Sequence, residues 1–462
     1  MSPRDLPAVN TILAMPALAR LAADHGRAVA LRAVRATLED ARTSLLLGYD
    51  TPVDLDVLTK LAVRRVEEDR PYLRPVLNVT GILLHTGLGR APLAEEAVEA
   101  VTKVARGYSN LELDLGSGER GNRTSGVEEI LRRLTGAEAA TVVNNNAAAT
   151  VLALKALAQG REVIVSRGQL VEIGGSFRLP DVFETSGARL REVGTTNKTR
   201  TSDYERAISP DTAAIMRVHP SNFQIIGFTE TPSLNDLAEL ARRRGLFLID
   251  DIGSGALAPG LVPGVVNEPT IDQGLAAGAD LVLCSGDKLL GGPQCGLMVG
   301  TTAAIERVTR DPLMRAFRVD KMTLAALEAT LRLALAPERA ARRLPLWSFL
   351  NVPIAALRER AERFAQRCRD ELGLSVVTVE DSTAYIGGGS LPDRAVPSVV
   401  VCFGPPFPGE TASEADFATR LRLGEPAVVP RVQGGSVLFD LRTVSETEEE
   451  SLLTALQAIV RL

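Results

Sequence analysis

The chain has 462 residues, 45% hydrophobic and 24% charged, an ordinary balance for a globular protein with room for two or three domains. A net charge of −5 excludes polyanion binding by bulk charge, so a nucleic acid would have to find a local patch. Four scattered cysteines (Cys284, Cys295, Cys368, Cys402) and three distant histidines give no disulfide framework and point to no metal, and no apolar run approaches a membrane span.

Residues 1–75 read as a small helical unit. Val29, Leu31, Val34, Leu38 and Leu45 recur at roughly helical period over Arg27–Leu47, with Gly48 and Pro52 to end that helix. Leu55, Leu58, Leu61, Ala62 and Val66 mark another over Asp54–Arg70, before the breaker Pro71-Tyr72-Leu73-Arg74-Pro75. Arg27, Arg35 and Arg42 fall near a seven-residue spacing and could form one basic stripe. The segment as a whole is barely positive, with 11 Lys/Arg against 10 Asp/Glu. The opening Met1–Asp5 lacks the charged-then-apolar plan of a signal peptide, so a cytoplasmic protein is expected.

From Val76 to about Gly300 short apolar runs alternate with helical patterns. The runs are Ala140–Val143, Glu162–Ser166, Ala213–Val218, Leu246–Ile249, Asp280–Cys284 and Leu297–Val299; Asn146–Ala158 and Leu234–Arg244 read as helices between them. Such alternation predicts a mostly parallel sheet flanked by helices, here a large domain over 76–320. Lys321–Leu344 reads as one long helix bridging to a smaller α/β domain over 321–462. That domain has a helix at Ile354–Leu372, strands near Ser375–Val379, Ser398–Phe403, Ala427–Val432 and Ser436–Asp440, and a closing helix at Glu446–Leu462.

Ligands of parallel sheets sit at the carboxyl ends of the strands, and three polar clusters fall there: Asn144–Ala147, Asp250–Gly255 and Ser285–Lys288. Lys288 follows an apolar strand and precedes Leu289-Leu290-Gly291-Gly292-Pro293-Gln294. An amine in apolar surroundings loses proton affinity and condenses readily with an aldehyde. With Ser285 three residues earlier to hold a phosphate, the pattern fits a pyridoxal 5'-phosphate (PLP) site. That cofactor also needs a carboxylate at its pyridine nitrogen, which Asp250 or Asp251 supplies; neighbours on a strand face opposite ways, so only one can. Asn145, Asn146 and Ala147 open a helix whose N-terminus suits the phosphate. Gly116-Ser117-Gly118-Glu119-Arg120-Gly121 matches GxGxxG, but the following helix is short and starts late. A flexible loop presenting Arg120 and Arg123 is the better reading. With Arg90, Arg315 and Arg318, these arginines near turns point to an anionic substrate.

Together these segments resemble the bacterial selenocysteine synthase family, nearly end to end. The resemblance is carried by Asn78–Arg90, Gly118–Arg123, Val143–Ala148, Ser166–Gly168, Glu172–Arg178, Asp251–Gly255, Ser285–Gln294 and Met314–Glu328. It implies a fold-type-I PLP-dependent transferase, α/β in class, with Lys288 as the cofactor lysine and Asp251 rather than Asp250 as its aspartate. Arg90, Arg315, Arg318 and one of Arg120 or Arg123 would bind oxyanions. The implied reaction converts L-seryl-tRNA(Sec) to L-selenocysteyl-tRNA(Sec) with selenophosphate, by β-elimination through an aminoacrylyl intermediate and selenium addition. The implied partners are that tRNA, held by residues 1–75, and further copies in a ring-like homo-oligomer for which the family offers a decamer; neither DNA nor a membrane is a partner. Gly87, Gln169 and Cys295 stand where relatives commonly carry Asn, Glu and Ala.

Two other readings share the lysine segment. A small-molecule PLP lyase acting on an amino-sugar phosphate or amino acid would use residues 1–75 only for packing or assembly. A non-catalytic RNA-binding protein would have no use for Lys288, Asp251 and Ser285.

Overall fold

Residues 3–460 are described in the computed structural model, apart from 48, 50–52, 69–71, 174–176, 259, 261, 263, 264, 266, 267, 388–394 and 409–412. The helix end expected at Gly48 and Pro52, the break at Arg70-Pro71, Gly174–Ser176 of the resemblance and the final residue pair lie outside them. The chain divides into two units, Met1–Pro75 and Val76–Leu462.

In the first unit α1 (Val9–Leu13), α2 (Pro16–His25), α3 (Arg27–Leu46) and α4 (Leu55–Glu68) bury Ile12, Leu18, Val34, Leu38, Leu58, Ala62 and Val66 in a core of their own. Pro16 starts α2 at a position where a missing N–H costs nothing. Arg27, Arg35 and Arg42 are all exposed on α3, and Arg42 is paired with Glu39 at 2.6 Å.

The second unit opens with β1 (Val76–Val79), α5 (Glu95–Ala105), α6 (Ser125–Thr135), β2 (Ala139–Val143), α7 (Asn146–Ala158) and β3 (Glu162–Ser166). An antiparallel pair of two-residue strands, β4 (Glu172–Ile173) and β5 (Phe177–Arg178), leads to α8 (Leu179–Ser186), β6 (Arg189–Val193), α9 (Thr201–Ala207) and β7 (Thr212–Val218). Then come α10 (Leu234–Arg244), β8 (Phe247–Gly253), α11 (Ile271–Ala277), β9 (Leu281–Ser285) and β10 (Gly296–Gly300). The larger sheet runs β2-β10-β9-β8-β7-β3-β6 and is parallel except for β10, which lies antiparallel to both neighbours. Its central strands are continuous apolar runs because both faces are covered. Residues of α6 and α10 pack on one face, and those of α7 and α8 on the other.

The rest comprises α12 (Thr302–Arg310), α13 (Leu313–Ala316), α14 (Lys321–Ala334), α15 (Pro337–Arg343), α16 (Pro345–Asn351) and α17 (Ile354–Leu372). After them follow β11 (Val377–Tyr385), β12 (Ala395–Phe403), α18 (Glu414–Leu423), β13 (Ala427–Gln433), β14 (Ser436–Asp440) and α19 (Glu449–Val460). Three sequence expectations are corrected. The single helix expected over Lys321–Leu344 is two, because Pro337 cannot continue a helix and begins α15 instead. Asp250 and Asp251 do not end their strand: pairing with β7 and β9 carries β8 on to Gly253. The first four residues after position 75 join the smaller sheet, β1-β13-β14-β12-β11, where β1 lies parallel to β13. No helix among the described residues is long and apolar enough to cross a membrane.

Gly255 fixes the distance between the end of β8 and the segment after β9. Its φ is +82°, and a Cβ there would lie 2.1 Å from the Ser285 carbonyl oxygen. Gly255→Ala is expected to destabilise the protein by about 1–3 kcal/mol or more through backbone strain and overlap, read as a lowered Tm in thermal unfolding.

Candidate active site

Three strand ends build the site. After β2, Asn145 caps α7, its Oδ1 accepting from Ala148 N at 2.8 Å, and Asn144 N donates to Phe317 O at 2.9 Å. The first N–H groups of α7, those of Asn146 and Ala147, have no helical acceptor and are available to an anion.

In β8 the two aspartates part company. Asp250 is fully buried and held by Arg217, whose Nε and Nη2 donate at 2.5 and 2.7 Å. Burial pushes its carboxyl above the usual range and the Arg217 guanidinium draws it back. Asp251 faces α7 instead. Its Oδ1 accepts from Asn146 Nδ2 at 2.9 Å and Gly253 N at 3.1 Å, and its Oδ2 from Thr150 Oγ1 at 3.0 Å. Burial raises its pKa too, opposed by the Asn146 and Thr150 hydrogen bonds and by the charge of Lys288.

After β9 the chain turns through a knot of backbone bonds. Gly286 N donates to Cys295 O, Leu289 N to Ser254 O and Gly291 N to Lys288 O, each at 2.9 Å. Buried Trp347 donates from Nε1 to Leu289 O at 2.7 Å. Lys288 is thereby only 3% exposed. Burial, and then the Arg90 guanidinium, hold its amine below the ordinary lysine range, against the pull of Asp287 and Asp251. Arg90 has a left-handed backbone, φ +64°, and its Nη1 meets Asp287 Oδ2 at 2.8 Å.

A cavity of about 290 Å³ gathers Arg90, Asn145, Asn146, Ala147, Asp251, Ser285 and Lys288. Asp250 is not in its wall. Arg120, Arg123, Arg315 and Arg318 are not in it either. Arg120 and Arg123 both pair with Glu112, and Arg123 also donates to Val319 O at 3.0 Å, while the Arg120 side chain stays exposed. Arg315 and Arg318 are exposed on either side of Phe317, the residue tied to Asn144.

The cavity also holds His219 and Ser221, which the sequence reading passed over. His219 directly follows β7, so the strand-end rule that found the other clusters could have found it. Its Nε2 lies 3.5 Å from Oε1 of the buried Glu268. Gln169 is buried and accepts from Val218 N at 3.1 Å, steadying the end of β7. Cys295 lines the cavity, and burial pushes its thiol well up.

The fit of a cofactor can be judged on polar atoms that lack partners. Among the described residues, buried Asn146 Oδ1, Ser221 Oγ and Asp287 Oδ1 have none, and all three belong to residues of this one cavity. Such atoms are costly unless a ligand satisfies them. With a buried amine, a carboxylate and a helix N-terminus in the same wall, the donor set fits a phosphorylated pyridine aldehyde.

Sheet order, lysine loop and strand aspartate define the fold-type-I PLP-dependent enzymes. The structure of a D-glucosaminate-6-phosphate ammonia-lyase shares this fold, with a TM-score of 0.56 and 22% identity, covering 84% of this chain and 96% of that one. The L-seryl-tRNA selenium transferase family model matches residues 76–445, and the selenocysteine synthase N-terminal model matches 3–42. L-seryl-tRNA(Sec) selenium transferases of Solidesulfovibrio magneticus and Desulfomicrobium baculatum are 48% and 46% identical to it, covering 93% and 99% of this chain and 92% and 98% of theirs. That of Moorella thermoacetica is 47% identical over 98% of this chain and 96% of its own. The chain belongs to the L-seryl-tRNA selenium transferase family.

The lowered proton affinity of Lys288 makes a kinetic prediction. In the apoprotein, the rate of condensation with PLP should rise with pH and reach half its maximum below ~10.4, the ordinary lysine value. Stopped-flow absorbance measures it; borohydride reduction followed by peptide mapping should place the label on Lys288.

Proposed function

We propose that the chain binds PLP in this cavity and converts L-seryl-tRNA(Sec) to L-selenocysteyl-tRNA(Sec), taking selenium from selenophosphate. The observation that carries the assignment is the burial of Lys288 in one wall with Asp251 and the start of α7. When bound, the cofactor supplies an aldehyde for amines and a ring that delocalises negative charge from Cα. Lys288 is the amine that holds it covalently. Beside a bound seryl substrate, Lys288 Nζ would be the base for the Cα proton, its proton affinity weakened by burial.

Asp251, in the cavity wall, would face the ring nitrogen and keep it protonated. Asn145, Asn146 and Ala147 at the α7 N-terminus would hold the phosphate together with Ser285. Arg90 stands in the wall to place the anionic selenium donor, with Arg315 and Arg318 outside it as further anion holders. Arg120 and Arg123 bind oxyanions only on leaving Glu112. Holding acyl-serine and donor together supplies much of the rate.

The helical unit, with Arg27, Arg35 and Arg42 exposed on one helix, holds the tRNA. The protein works as a ring-like homo-oligomer, a reading supported by exposed Tyr108, Leu115, Ile226 and Phe228. Four unpaired buried cysteines support a reducing, cytoplasmic setting.

Purified protein given labelled seryl-tRNA(Sec) and selenophosphate should yield selenocysteine after ester hydrolysis. Lys288→Ala should lower that rate by about 10²–10⁴-fold. Unchanged serine from PLP-loaded protein would instead favour a small-molecule lyase. Replacing Arg27 and Arg35 together by Glu should weaken seryl-tRNA(Sec) binding and flatten its salt dependence by about two charges in a filter-binding titration, leaving PLP content unchanged.

A further inference from the structure

The donors to Asp251 are shared unevenly between its two oxygens. Oδ1 accepts from both Asn146 Nδ2 and Gly253 N, at 2.9 and 3.1 Å. Oδ2 accepts from Thr150 Oγ1 at 3.0 Å and, among the described residues, from no other donor. Each carboxylate oxygen offers about two lone-pair sites. Oδ1 is therefore filled, and Oδ2 keeps one site open.

Thr150 is 1% exposed, on an α7 sequence, Asn-Ala-Ala-Ala-Thr-Val-Leu-Ala-Leu-Lys-Ala-Leu-Ala, that is otherwise apolar past its first residue except for Lys155. A β-branched hydroxyl there lowers helix propensity and costs stability unless it is paired. The hydroxyl also lies 2.9 Å from the Asn146 carbonyl, but that oxygen is the i−4 acceptor for the N–H of Thr150 itself. The hydroxyl has one hydrogen, and a carboxylate is the stronger acceptor. Asn146 and Thr150 stand one helical turn apart, so a single face of α7 grips both oxygens of Asp251.

We infer that Thr150 is a positioning residue for the cofactor: its hydroxyl fixes Asp251 Oδ2 in the charged form, and Oδ2 is the oxygen that accepts from the protonated ring nitrogen. The inference rests on the reading of Asp251 as the ring's partner. Thr150 touches neither substrate nor reacting atoms; it acts through the carboxylate.

The test compares two ligands of the full-length apoprotein, PLP and its 1-deaza analogue, whose ring carries C–H in place of the nitrogen. Wild type should bind PLP more tightly, and the ratio of the two dissociation constants isolates the ring-nitrogen contact. Thr150→Val should shrink that ratio about 10-fold, as expected for loss of one hydrogen bond to a charged group. Thr150→Ala should do the same should the valine variant fold poorly, and Thr150→Ser should restore the ratio. Equal weakening of both ligands, or an unchanged ratio, would mean that Thr150 is only a packing residue and overturn the inference. Asp251→Ala should abolish the preference for PLP. A full preference surviving in that variant would show instead that Asp251 is not the ring's partner, a separate failure.

Discussion

The site depends on keeping a lysine amine out of water. A buried amine holds its proton less tightly, and the protein builds that burial with backbone bonds around the turn. Gly286, Leu289 and Gly291 tie the turn to Cys295 just before β10, to Ser254 just after β8 and to itself, and Trp347 bonds it through Leu289 O. Side chains can vary around such a turn, but the carbonyls that receive these bonds cannot move. Hence the glycines: at Gly286 a Cβ would meet Cys295 Sγ at 2.4 Å and Pro293 O at 2.8 Å.

The sheet then sorts the charges. Because consecutive residues of a strand face opposite ways, Asp250 and Asp251 are committed to different environments by β8 itself. One becomes half of a buried bidentate ion pair with Arg217; the other is gripped by neutral donors and left facing the cavity. The neutral grip matters chemically. A full counter-charge on Asp251 would compete with a protonated ring, whereas amide and hydroxyl donors stabilise the carboxylate and leave its charge available.

Much of this was legible in the sequence, and the parts that were not share a physical cause. The bounds of β3, α7, α10, α17 and β14 follow from local period and capping, which a short window contains. That Lys288, Ser285, Asp251 and Asn145–Ala147 gather around one cavity was legible because ligand sites of a parallel sheet lie at strand ends. His219 also lies at such an end, where the same rule points to it, but it carries no glycine-rich signature to draw attention. The pairing of Arg120 and Arg123 was not legible, because their partner, Glu112, is an ordinary acidic residue with no pattern of its own. Strand β6, Arg189–Val193, has mostly polar side chains at the sheet's edge and gave no apolar run to read.

The placement of β1 sets a constraint on the order of events during synthesis. Val76 pairs with Ala427, about 350 residues later, in a parallel register that no hairpin can nucleate. The four helices before it form a core from their own residues and need nothing downstream. A nascent chain therefore carries Val76–Val79 as an unpaired strand through nearly the whole of translation, until β13 leaves the ribosome. Such a strand invites pairing with another chain, and its shortness, four residues, limits the danger. Truncation anywhere before Ala427 would leave that edge open for good, which makes the C-terminal sheet a checkpoint on whether the whole polypeptide has been made.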